Sequence, residues 1–141
     1  MIDSADVKAL KDHVLGPRYE LSLAFVSSRV SRELNRLYRH KDKPANILSF
    51  PLTDTDGEIL MVEALITQEA EKLGWKPTDY TIFLFIHGLL HLKGYAHGSK
   101  MEHEEQVLAK FFTQHVQKHH RRIRHRDSNY KVGGLRVGRR T

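Results

Sequence analysis

Residues 80–92 read Tyr-Thr-Ile-Phe-Leu-Phe-Ile-His-Gly-Leu-Leu-His-Leu, a run whose apolar side chains point in nearly every direction around a helix. A helix of that kind has no solvent face and must be packed on all sides, so the remainder of the chain has to build a shell around it. Two imidazoles, His87 and His91, stand inside the run. Residues four apart share one helix face, so both rings can grip a single ion. Gly94 follows, and glycine readily takes the left-handed conformation that closes a helix and turns the chain. His97, six residues after His91, can then swing back towards the first two.

Three neutral imidazoles leave one position of a tetrahedral zinc shell open to water, which separates a hydrolytic site from a closed structural one. The alternative is that these histidines are hydrogen-bonded core residues. The chain has no cysteine, so any metal must rest on His, Asp or Glu. Zn²⁺, one per chain, is the expectation, although imidazole also suits Ni, Cu and Fe.

The chain is 141 residues long, enough for one domain with a substantial core. Its net charge of +6 is unevenly spread. From His115 onward, nine Lys and Arg stand against the single acid Asp127, a net of +8, so residues 1–114 hold 14 basic and 16 acidic groups and carry −2. The sequence therefore divides into a hydrolase domain over residues 1–120 and a basic tail over 121–141 without periodicity, expected to be disordered. Such a tail either binds a polyanion, nucleic acid rather than membrane, or only solubilises the chain. No apolar run is long enough to span a bilayer, and the start, with Asp3, Asp6 and Asp12, has no signal core. A cytoplasmic location is the default expectation.

Apolar spacing predicts a helix over residues 6–15, stopped by Gly16-Pro17, and alternation predicts a strand over 21–25. Ser27 or Ser28 can cap a helix running to Arg39, with Val30, Leu34, Leu37 and Tyr38 on its apolar face. Its other face carries Arg29, Arg32, Arg36 and Arg39, which can meet solvent or phosphate. Strands are expected over 47–52 and 58–62, then a helix from Glu63 to the stop at Gly74, the central helix opened by Thr78 or Asp79, and a last helix over 101–119. Strands and helices mix without regular alternation, which points to an α+β fold, a small mixed sheet covered by helices.

The frame H-x-x-x-H-x-x-G-x-x-H reproduces the ligand spacing of metzincin proteases, but Gly88 stands where those enzymes have their Glu base. Peptide hydrolysis by their route is therefore not expected. A Lewis-acidic ion with a water whose pKa is lowered to about 7 can equally attack a phosphodiester. The frame, together with Leu34-Asn35-Arg36-Leu37-Tyr38-Arg39 and Lys41-Asp42-Lys43-Pro44-Ala45-Asn46-Ile47-Leu48-Ser49-Phe50-Pro51, resembles the YbeY family of bacterial metal-dependent endoribonucleases over roughly residues 20–112.

That resemblance implies an α+β fold, a metal on His87, His91 and His97, and Arg39 as the family's functional arginine, placed to orient a scissile phosphate. It also implies hydrolysis of single-stranded RNA in rRNA maturation and ribosome biogenesis, with rRNA and the small ribosomal subunit as partners. The family usually has an acid just before its third histidine, where this chain has Ala96. Glu102 and Glu104 are candidates to substitute, or are simply favourable charges at a helix start. A different class of function fits the same residues, a non-catalytic RNA-binding assembly factor with a structural metal.

Overall fold

The computed structural model describes residues 2–94, 98–122 and 135–140, with side chains as far as residue 110. The elements run in the order α1 (Ser4–Leu15), β1 (Glu20–Val26), α2 (Ser28–Arg39), β2 (Ile47–Pro51), β3 (Asp56–Met61), α3 (Glu63–Leu73), α4 (Pro77–Lys93), α5 (Ser99–Arg122) and β4 (Leu135–Arg140). The strands form one sheet in the order β2-β3-β1-β4. Strand β1 is parallel to both β3 and β4, and β2 is antiparallel to β3. The fold is α+β with a small mixed sheet, as the sequence leads one to expect.

Side chains alternate across a strand, and the two faces of this sheet meet different partners. Leu21 and Leu23 of β1 with Ile59 and Met61 of β3 face the main core, where Phe85, Ile86, Leu89 and Leu90 of α4 are buried against α1, α3 and α5. Ala24, Val26, Leu48 and Leu60 face the other way, into a smaller cluster closed by Val30 and Leu34 of α2. Helix α4 is the central buried element that its sequence demands. Its tight approach to the sheet depends on Gly88, where a Cβ would lie 2.9 Å from both Ile47 Cδ1 and Ser49 Oγ.

Three local expectations change. Helix α1 begins earlier, because the Asp3 carboxylate accepts from the Ala5 N–H at 2.8 Å and caps it. Helix α4 opens with Pro77 in its first turn, where a missing N–H costs nothing, so Thr78 and Asp79 lie inside the helix instead of capping it. On α2 the apolar stripe is only half used. Leu37 is 58% and Tyr38 67% exposed, and the buried residues are the polar Ser31 and Asn35. Their partners explain this: Ser31 Oγ donates to the Ala45 carbonyl at 2.6 Å and accepts from its N–H at 2.9 Å, and Asn35 Nδ2 donates to Lys43 O at 2.8 Å. Helix α2 thus spends its inner face on holding the segment that leads into β2.

The sequence places residues 121–141 in a tail without regular structure. Within it, Leu135–Arg140 form β4 beside β1, with Leu21 paired to Leu135 and Val26 to Arg140. Leu135 and Val137 alternate with Arg136 and Gly138, a short period-2 pattern that the dense positive charge obscures. Residues 123–134 lie outside the described residues.

Candidate metal centre

Helix α4 presents Phe83, His87 and His91 on one face, at successive four-residue steps. Nε2 of His87 and Nε2 of His91 face each other at 3.1 Å, with the rings edge to face and their centroids 4.7 Å apart. The separation is shorter than two imidazole–zinc bonds of about 2.0–2.1 Å placed end to end, so one ion fits both nitrogens. The remaining ring nitrogen of His87, Nδ1, meets the Glu105 carboxylate from α5. An ionised carboxylate can only accept, so the tautomer that ligation requires carries its proton on Nδ1 and turns Nε2 towards His91. A carboxylate behind a histidine in this way fixes the tautomer and raises the basicity of the metal-facing nitrogen. The donor set fits zinc.

Gly94 ends α4 in the left-handed conformation, φ 106° and ψ 6°, and its N–H reaches the carbonyls of His91 and Leu90. The turn expected at this glycine is present. His97, expected as the third ligand, lies outside the described residues. Among the described residues no group of three His, Asp or Glu is placed to hold an ion.

The histidine pair opens onto a cleft of about 450 Å³. Arg39, at the end of α2, lines it together with Ser49, Phe83, Glu102 and Glu105. Arg39 and the two described histidines, 48 and more residues apart in sequence, therefore share one cavity. Their neighbours on α2 are used otherwise: Arg32 is paired with Asp42 at 2.9 Å and Arg36 with Glu33 at 3.1 Å. Of the two acids considered as substitutes for a carboxylate before His97, Glu102 lines the cleft and Glu104 does not.

Glu105 is a site residue that the sequence analysis does not single out. A signal was present: Met101, Glu105 and Leu108 share one face, and Met101 and Leu108 are buried. A carboxylate on a buried face needs a partner, and here the partner is His87. Asn46 was also missed. It lines the cleft and donates to Glu69 Oε2 at 2.6 Å, and the same oxygen accepts from Tyr80 Oη at 2.8 Å.

Fold and site together define an α+β domain in which one buried helix offers a carboxylate-braced histidine pair to a cleft rimmed by an arginine. The family model described as Endoribonuclease YbeY matches residues 2–120, and the chain belongs to the YbeY family. It is 40% identical over 95 residues to the Endoribonuclease YbeY of Chromohalobacter salexigens, covering 62% of each chain. To that of Rhodospirillum rubrum it is 35% identical over 105 residues, covering 66% of this chain and 50% of the relative. To that of Alkaliphilus metalliredigens it is 36% identical over 116 residues, covering 74% and 75%. The chain thus spans about half to three quarters of the length of these relatives. The solution structure of TM1509 from Thermotoga maritima superposes with a TM-score of 0.60 at 20% identity, covering 93% of this chain and all of that one, a likeness of fold. Among the described residues no helix is long and apolar enough to cross a membrane.

Proposed function

We propose that this chain is a zinc-dependent single-strand endoribonuclease that acts on rRNA during maturation of the small ribosomal subunit in the cytoplasm. The observation that carries the reading is the convergence of His87 Nε2 and His91 Nε2 in a cleft that Arg39 also lines, in a chain of the family described as Endoribonuclease YbeY.

His87 and His91 would hold the ion, with His97 completing the set after the Gly94 turn. Zinc bound there supplies a Lewis acid for a phosphodiester oxygen and lowers the pKa of a water to about 7. Glu105 keeps the His87 ring in the orientation and tautomer that binding needs. The Arg39 guanidinium binds the scissile phosphate through paired N–H donors and offsets the charge that builds on it. Because Glu105 is committed to His87, Glu102 is the cleft carboxylate left to accept a proton from the nucleophile. The basic tail adds sequence-independent attraction to the RNA backbone.

The test is cleavage of single-stranded rRNA by the zinc-loaded protein beside its His91→Ala variant, with metal content measured on both. Cutting by the wild type alone supports the reading. Equal cutting by both forms would assign the activity to a contaminant. Salt-dependent RNA binding without cutting by either form would favour an assembly factor with a structural metal. Retention of stoichiometric zinc by a His97→Ala variant would remove the third ligand from the proposal.

A further inference from the structure

Beyond the two histidines, the lining of the cleft includes the ring of Phe83. Phe83 lines it one four-residue step before His87, about 6 Å along the helix axis at 1.5 Å per residue. Trp75, in the turn between α3 and α4, rests on Phe83 with ring centroids 5.4 Å apart and the planes tilted by 50°, and meets Tyr80 edge to face at 5.8 Å. Tyr80 and Phe83 stack at 6.2 Å and 17°. The group is tied down by Glu69, which accepts from Tyr80 Oη and from Asn46, itself part of the cleft wall. Trp75 nevertheless remains 43% exposed. A large aromatic ring fixed in place but left partly open to water, and packed on a residue that lines the cleft, has the character of a stacking platform.

We infer that Trp75 and Phe83 form a nucleobase-stacking subsite for single-stranded RNA, taking the base of a nucleotide next to the phosphate that lies between Arg39 and the histidine pair. The inference rests on the endoribonuclease reading and gives it a substrate form. A duplex keeps its bases stacked on one another, whereas a single strand can present a base to an aromatic face. The step from His87 to Phe83 is comparable with one nucleotide of an extended strand. Stacking on an aromatic face is tolerant of base identity, since every base has a π-face, so the subsite selects strandedness rather than sequence.

Trp75 is the chain's single tryptophan, which makes its fluorescence a direct reporter. The full-length His91→Ala protein is titrated with a short oligouridylate and, separately, with an abasic ribose-phosphate strand of equal length, affinity being read independently from the anisotropy of an end label. The RNA is expected to quench Trp75 and the abasic strand to bind without quenching. Trp75→Ala in the same background is expected to weaken RNA binding about tenfold while the affinity for the abasic strand stays unchanged, with circular dichroism verifying that the variant is folded. RNA that binds with equal affinity in the presence and absence of Trp75, and leaves its emission unaltered, overturns the subsite and leaves the endoribonuclease reading standing. Failure of every form to bind or cut RNA overturns both.

Discussion

The carboxylate of Glu105, on α5, holds Nδ1 of His87, on α4, while the other ring nitrogen of His87 stands 3.1 Å from His91. The two helices pack against each other, and Met101 and Leu108 on either side of Glu105 are buried, so the brace is as rigid as the packing around it. Replacing Glu105 by Gln keeps an acceptor of the same shape and removes its charge. Zinc affinity is expected to fall about 10- to 100-fold, read by competition with a chromogenic chelator, with the far-ultraviolet spectrum unchanged. Undiminished affinity would reduce the Glu105–His87 contact to a packing detail.

Gly88 stands at a contact that leaves no room for a side chain. In sequence it is the missing base of a protease-like frame. In the structure it is the point where α4 touches β2, with Ser49 Oγ donating to the Gly88 carbonyl at 3.3 Å. Restoring a carboxylate by Gly88→Glu would drive it among Ile47, Ser49 and Ile59, and an unpaired buried acid on top of overpacking is expected to cost more than about 3 kcal/mol. The variant should melt far below the wild type and show no proteolysis of casein. For Gly88→Ala, the gain of about 1 kcal/mol in helix propensity is set against three close side-chain tips, and a net loss on the order of 1 kcal/mol is expected from denaturant titration.

The legible parts of this molecule are those set by local pattern. The all-round apolarity of residues 80–92 specified a central buried helix, Ser27 is the cap of α2 out of the two serines the sequence offers, and Gly94 is the expected turn after the second histidine. What escaped was decided by partners distant in sequence. Ser31 and Asn35 are buried because residues 43–45 offer them backbone groups, and an i, i+4 reading of α2 has no access to that loop. Glu105 was invisible as a site residue for the same reason, because its partner lies 18 positions away on another helix. Strand β4 draws its pairing from β1, more than a hundred residues earlier, and its Leu135 and Val137 are too few to stand out among arginines.

Arg39, on α2, and Glu102, on α5, line one cleft, and removal of either is expected to slow cleavage without loss of the metal. Arg39→Ala should reduce the single-turnover rate of RNA cleavage about 100-fold, and Arg39→Lys should recover little, because an ammonium lacks the paired donors of a guanidinium. Glu102→Gln should also slow cleavage about 100-fold. Neither change touches a metal-facing nitrogen, so bound zinc should stay at the wild-type level. Loss of zinc in either variant would place that residue in the metal shell instead.

The alkaline limit of stability is expected to be written partly by Tyr80. Burial first, and then the hydrogen bond and charge of Glu69, push its phenol from the ordinary value of 10 up to about 12. Between those values the unfolded chain has released a proton that the folded chain still holds, so stability falls as pH rises. The contribution is complete below about pH 10 and gone above about pH 12. Tyr80→Phe retains the ring packed on Phe83 and deletes the phenol, leaving Glu69 to Asn46. At pH 7 the variant should be less stable by about 1 kcal/mol for the lost hydrogen bond, and across pH 10 to 12 its melting temperature should decline less steeply than that of the wild type. The two curves should therefore converge with rising pH in a series of thermal melts. Parallel curves over that interval would show that the Tyr80–Glu69 bond does not control the alkaline transition.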